Sequence, residues 1–136
     1  MTYVIGAILG LATCLLASYT RLDRGRAFYP VMMIVIAVVY AAFALVGGSP
    51  DALRAESIPI AIFIAAAIAG WRFSLWIIVA ALIAHGIFDF IHDSLIANPG
   101  VPRWYPPVCG AYDIAAGLYL AWRSSQRRTS GGTTHE

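Results

Sequence analysis

The sequence predicts an all-α, polytopic transmembrane helical bundle of about five spans, and three observations carry that prediction. Of 136 residues, 60% are hydrophobic and only 12% are charged, about half the charged share of a soluble globular domain. Mean hydropathy is +0.76. The charged residues gather between long apolar stretches, the pattern expected when lipid is the solvent. The length allows one domain.

A spanning helix needs about 20 mostly apolar residues, because the hydrocarbon core is about 30 Å thick. The first span is read at 3–19, within a stretch that carries no charge up to Thr20. It lacks the basic start and small-residue cleavage site of a secretory leader, so a retained anchor is expected. Arg21, Asp23, Arg24 and Arg26 then form a basic loop. The second span, 28–46, is closed by the breaker cluster Gly47-Gly48-Ser49-Pro50. Asp51, Arg54 and Glu56 are read as a polar loop. The third span is placed at 57–71, with Ser57 as N-cap and Pro59 in the first turn. A turn at Trp71-Arg72-Phe73-Ser74 leads to the fourth span, 74–92. A proline-rich loop from Asn98 to Pro107 precedes the fifth span, 108–122. The Ser/Thr/Gly-rich residues 124–136 are expected to be a disordered cytoplasmic tail.

Arginine sets the expected orientation. Five spans put Arg21, Arg24, Arg26, Arg72, Arg123, Arg127 and Arg128 on one side, against Arg54 and Arg103 on the other. The positive-inside rule then places the N-terminus outside and the C-terminus in the cytoplasm, as in a bacterial inner membrane. The formal charge of +2 forms no basic patch, so the partner is the lipid bilayer and not nucleic acid. Gly6 and Gly10 form a GxxxG; with Gly86, Gly110 and Gly117 they suit close helix contact, within the chain, in a homo-oligomer or with a partner membrane protein. Cys14 and Cys109 fall in different spans and are read as buried thiols.

Charged groups within hydrocarbon cost at least about 2.5–3.5 kcal/mol each, so they need partners or a purpose. The fourth span carries His85, Asp89 and His92 at i, i+4 and i+7, within roughly 60° on one helical face, with Asp93 at its edge. The fifth carries Cys109 and Asp113. A short loop makes these spans antiparallel neighbours, so Asp89 and Asp113 fall at similar depth and Glu56 can join their rim. Three readings follow. His85, Asp89 and His92 can ligate a divalent metal, zinc or iron, with Asp113 or Glu56 as a third or fourth ligand, and with Asp113 and Asp93 as the catalytic groups of a hydrolase-like membrane enzyme. The same groups can relay protons or bind a polar ligand. Or they pair across helices and only lock the bundle, in a protein without catalysis that binds a partner or small ligand.

The succession HGxFDxxH, NPGVPxW and CxxYDxxxGxYLAW, from His85 to Trp122, resembles a family of small bacterial integral membrane proteins with no assigned activity. It covers under a third of the chain. The resemblance implies a membrane protein in which these polar residues matter, and it implies no reaction.

Overall fold

In a computed structural model, which describes residues 1–130, the protein is all-helical. Its helices are α1 (Thr2–Tyr19), α2 (Phe28–Val46), α3 (Pro50–Arg72), α4 (Leu75–Leu95) and α5 (Tyr105–Ser130), with a 3-10 turn at Leu22–Arg24. The first four are long and apolar enough to cross a membrane. Their surfaces support that medium: Ile8, Val35, Ile62 and Ile87 are all more than half exposed, an arrangement that water would penalise.

The helix ends follow from local chemistry. Gly48 takes a left-handed φ of 63° after α2, and its N–H donates to the Leu45 carbonyl. The Ser49 N–H reaches the Ala44 carbonyl at 3.1 Å, completing a Schellman stop. Ser49 then caps α3 by accepting from the Ala52 N–H at 3.1 Å, with Pro50 in the first turn. Ser74 caps α4 in the same way through the Trp76 N–H.

Two expectations need correction here. The third helix begins at Pro50, not near Ser57, so Asp51, Arg54 and Glu56 are helical and Pro59 is interior. Neighbouring helices re-satisfy the backbone that an interior proline disrupts in such bundles. Helix α5 also continues to Ser130, so the first part of the expected tail is helical, while residues 131–136 lie outside the described region.

Neighbouring pairs fix the directions. Gly6 meets Val108 and Ser18 meets Tyr119, so α1 and α5 run parallel. Gly86 meets Gly110 while Leu82 meets Gly117, so α4 and α5 run antiparallel. Helix α3 opposes α4, joining Glu56 to His92 at one end and Gly70 to Ile78 at the other. One end of the bundle therefore holds the α2–α3 turn and the α4–α5 loop, and we call it the loop end. The opposite end gathers Arg21, Arg24, Arg26, Arg72 and Arg123.

Candidate metal centre

The polar side chains converge in the half of the bundle nearer the loop end. Glu56, His85, Asp89, His92 and Asp113 are each no more than 1% exposed. Helix α4 places His85 and Asp89 one turn apart on its inner face. Helix α5 brings Asp113 to the same level because Gly86 and Gly110 lack side chains where the two helices touch: a Cβ on Gly86 would lie 2.7 Å from the Gly110 carbonyl oxygen.

The resulting group is compact. His85 Nδ1 lies 2.7 Å from Asp113 Oδ2 and 3.6 Å from Asp89 Oδ2. One ligating atom each from His85, Asp89 and Asp113 falls within 4.8 Å of the others, and among the described residues no other such trio of His, Cys, Asp or Glu occurs. Donors bound at about 2.0–2.2 Å to one zinc ion stand about 3.3–3.6 Å apart in a tetrahedral shell. Small side-chain shifts would bring this trio onto a single ion. The second carboxylate oxygens divide the work: Tyr40 on α2 donates its hydroxyl hydrogen to Asp89 Oδ1 at 2.8 Å, whereas Asp113 Oδ1 and Asp89 Oδ2 are buried without a hydrogen-bond partner. Buried carboxylate oxygens left unpaired are costly, and a cation between them removes the cost.

His92 and Asp93 lie elsewhere. His92 turns to α3, where its Nε2 is 2.8 Å from Glu56 Oε1. The Tyr40 ring stacks on the His92 ring at 4.2 Å and 25°, and the same side chain's hydroxyl holds Asp89. Asp93 reaches His92 Nδ1 at 3.4 Å, but its side chain is 71% exposed. The structure thus groups His85 and Asp89 with Asp113, not with His92, and Asp93 stands outside that group. The separation is axial: seven residues of helix rise about 10.5 Å, and His92 turns its Nε2 to Glu56 of α3 instead of back towards His85.

Two participants were not anticipated. Tyr40 carries the one hydroxyl of α2 beyond its first turn, which was a usable signal. Asn98, in the α4–α5 loop, donates from Nδ2 to Glu56 Oε1 at 2.9 Å and to the Tyr40 carbonyl at 3.1 Å. Phe63 sits edge-on to His85 at 4.6 Å, and Tyr105 edge-on to Tyr40 at 5.7 Å, so aromatic rings wall the group. Cys109 stays out of the trio, with its thiol turned to the Tyr105 hydroxyl at 3.6 Å.

A separate buried set secures the opposite end. Asp23 accepts from the Ser18 hydroxyl at 2.6 Å and pairs with Arg123 at 3.1 Å, and Ser18 also meets the Tyr119 hydroxyl at 2.8 Å. These contacts tie α1, the first turn and α5 together and include no trio of metal donors. No family model matches the chain, and neither does any curated protein or solved structure.

Proposed function

We propose that this is a five-span membrane protein that holds one zinc or iron ion on His85, Asp89 and Asp113, in a hydrolase-like site buried within the bilayer. The observation that carries the reading is the trio itself, with two buried carboxylate oxygens that accept no hydrogen bond from the described residues. Two carboxylates and one neutral imidazole neutralise a divalent cation, which suits a site of low dielectric. Three protein donors leave a coordination position open, where a bound metal supplies an activated water. Tyr40 fixes the orientation of Asp89, the part that an outer-shell hydrogen bond plays at such sites. Asp113 acts as a ligand in this reading, and Asp93 has no catalytic role.

The test is elemental analysis of the protein purified in detergent without chelator. About one zinc or iron per chain is expected, and the metal should be lost as pH falls, because protons compete for the imidazole and both carboxylates. Metal at background throughout removes the reading. It would leave the series Asp113, His85, Asp89 and Tyr40, hydrogen-bonded at its two ends and joined by a 3.6 Å contact between His85 and Asp89, as a relay or a lock between α2, α4 and α5.

The same proposal places the loop end outside a bacterial inner membrane and the arginine end in the cytoplasm. Helix α5 is the fifth crossing, running beside α1 from Gly6 and Val108 to Ser18 and Tyr119. A reporter that is active only outside the membrane, fused after Glu136, should be silent. Activity of that fusion would overturn the orientation.

A further inference from the structure

Between the trio and the water at the loop end stands a second buried carboxylate that the metal reading does not use. Glu56 is fully buried, and its Oε1 takes two contacts, from His92 Nε2 at 2.8 Å and Asn98 Nδ2 at 2.9 Å. Its Oε2 has no hydrogen-bond partner among the described residues. On one side, His92 Nδ1 leads to the exposed Asp93 at 3.4 Å. On the other, the Tyr40 ring stacked on His92 ends in the hydroxyl that holds Asp89. Asp93 and Asn98 also line an open cavity of about 330 Å³ at the loop end. Asp93, His92 and Glu56 thus succeed one another inward from the loop end, and Tyr40 alone stands between them and the trio.

Beyond the trio, towards the arginine end, the next buried carboxylate among the described residues is Asp23, which is already held by Ser18 and Arg123. Between the trio and Asp23, Met33, Ile78, Leu82 and Ala116 are fully buried and offer no charged or oxygen donor, and the same packed layer adds the neutral Cys14 thiol and Tyr29 hydroxyl. A cation entering that layer would lose its hydration with no carboxylate or imidazole to replace it, and the arginines past it repel a positive charge.

We propose that the metal enters and leaves from the loop end only, by way of Asp93, His92 and Glu56, with Glu56 as its intermediate station and Asn98 as the latch over it. The proposal rests on the trio being a metal site. Asn98 is a latch because an amide N–H and a cation compete for the same oxygen: Glu56 Oε1 cannot serve an arriving ion fully until Nδ2 withdraws. The loop that carries Asn98 is held close to α2 at Gly100, where a Cβ would collide with the Phe43 carbonyl oxygen, so withdrawal is a movement of the side chain. The site is a dead-ended vestibule, and no ion passes through the bundle.

The experiment uses the full chain, stripped of metal and reconstituted into liposomes, with zinc chloride added on one face at a time and bound zinc followed over time. Zinc should load only from the loop face. Glu56→Gln should slow loading at least about tenfold at unchanged final occupancy, and Asp93→Asn about threefold, as removal of steering charges does. Asn98→Ala should speed loading. Loading from the arginine face, or a Glu56→Gln rate equal to that of the unmodified protein, overturns the route. Should Glu56→Gln not fold, Asp93→Asn at its exposed position decides, and an unchanged rate there overturns the route equally. An unmodified protein that takes zinc from neither face fails the metal reading itself, which distinguishes that failure from an error in the route.

Discussion

Replacing His85 with alanine should reduce bound metal from about one ion per chain to background, while His92→Gln leaves occupancy at equilibrium unchanged. The contrast follows from geometry. His85 Nδ1 stands against Asp113 and Asp89, whereas both His92 nitrogens are directed to Glu56 and Asp93. Asp113→Asn should match His85→Ala, because the remaining donors cannot hold the ion against water. Tyr40→Phe should weaken binding by about 10- to 100-fold without abolishing it, the usual cost of losing an outer-shell hydrogen bond. Titration of the purified variants with zinc, read by elemental analysis after desalting, separates these outcomes. Equal loss of metal in His85→Ala and His92→Gln would restore the trio expected from helical spacing and discard the one found in the structure.

That expected trio shows what a sequence can and cannot reveal in a bundle of this kind. Helical periodicity places His85, Asp89 and His92 on one face, and they are all inward and buried. Periodicity describes angle around the axis, however, and a metal site also requires proximity along it. The one-turn spacing of His85 and Asp89 meets that requirement and the two-turn spacing of His85 and His92 does not. Asp113, the third member of the group, lies at the depth that counting residues from the α4–α5 loop gives. What counting could not supply was the ring of Tyr40 lying against His92, because that depends on how α2 rotates against α4.

Helix limits were legible wherever apolar runs ended in strong breakers. Gly48 and Ser49 close α2 and open α3 by motifs that can be read residue by residue. The start of α3 was obscured because Asp51, Arg54 and Glu56 look like a loop when charge alone is weighed. Polar residues at the head of a membrane helix need only reach the interface or a partner, and here Arg54 pairs with Asp51 while Glu56 turns inward to His92. Ser57 and Pro59 imitate a helix start, and the same signal occurs eight residues earlier at Ser49 and Pro50. Only the capping bond to Ala52 decides between them.

The contact between Gly86 and Gly110 gives the last prediction, in which local preference and tertiary contact point in opposite directions. By intrinsic propensity, glycine to alanine inside a helix stabilises by about 1 kcal/mol. At Gly86 the new Cβ would sit 2.7 Å from the Gly110 carbonyl oxygen and 2.9 Å from Ile114 Cγ1. The carbonyl belongs to the backbone of α5 and cannot rotate aside, so α4 and α5 must separate by roughly 0.7 Å to restore ordinary contact. Overpacking of that kind costs about 1–3 kcal/mol and outweighs the gain in propensity. The 2.7 Å approach of His85 to Asp113 lies at the same level, so the same movement spoils the trio. Gly86→Ala should therefore lower thermal stability in detergent and weaken zinc binding by at least about tenfold, since such sites tolerate displacements of only about 0.5 Å. Gly25→Ala supplies the control: its φ of −78° suits any residue and nothing lies within 4 Å of the added carbon, so stability and metal content should both hold. A Gly86→Ala protein that matches the unmodified one in both measurements would mean that α4 and α5 do not approach this closely, and the trio built on their contact would fall with it.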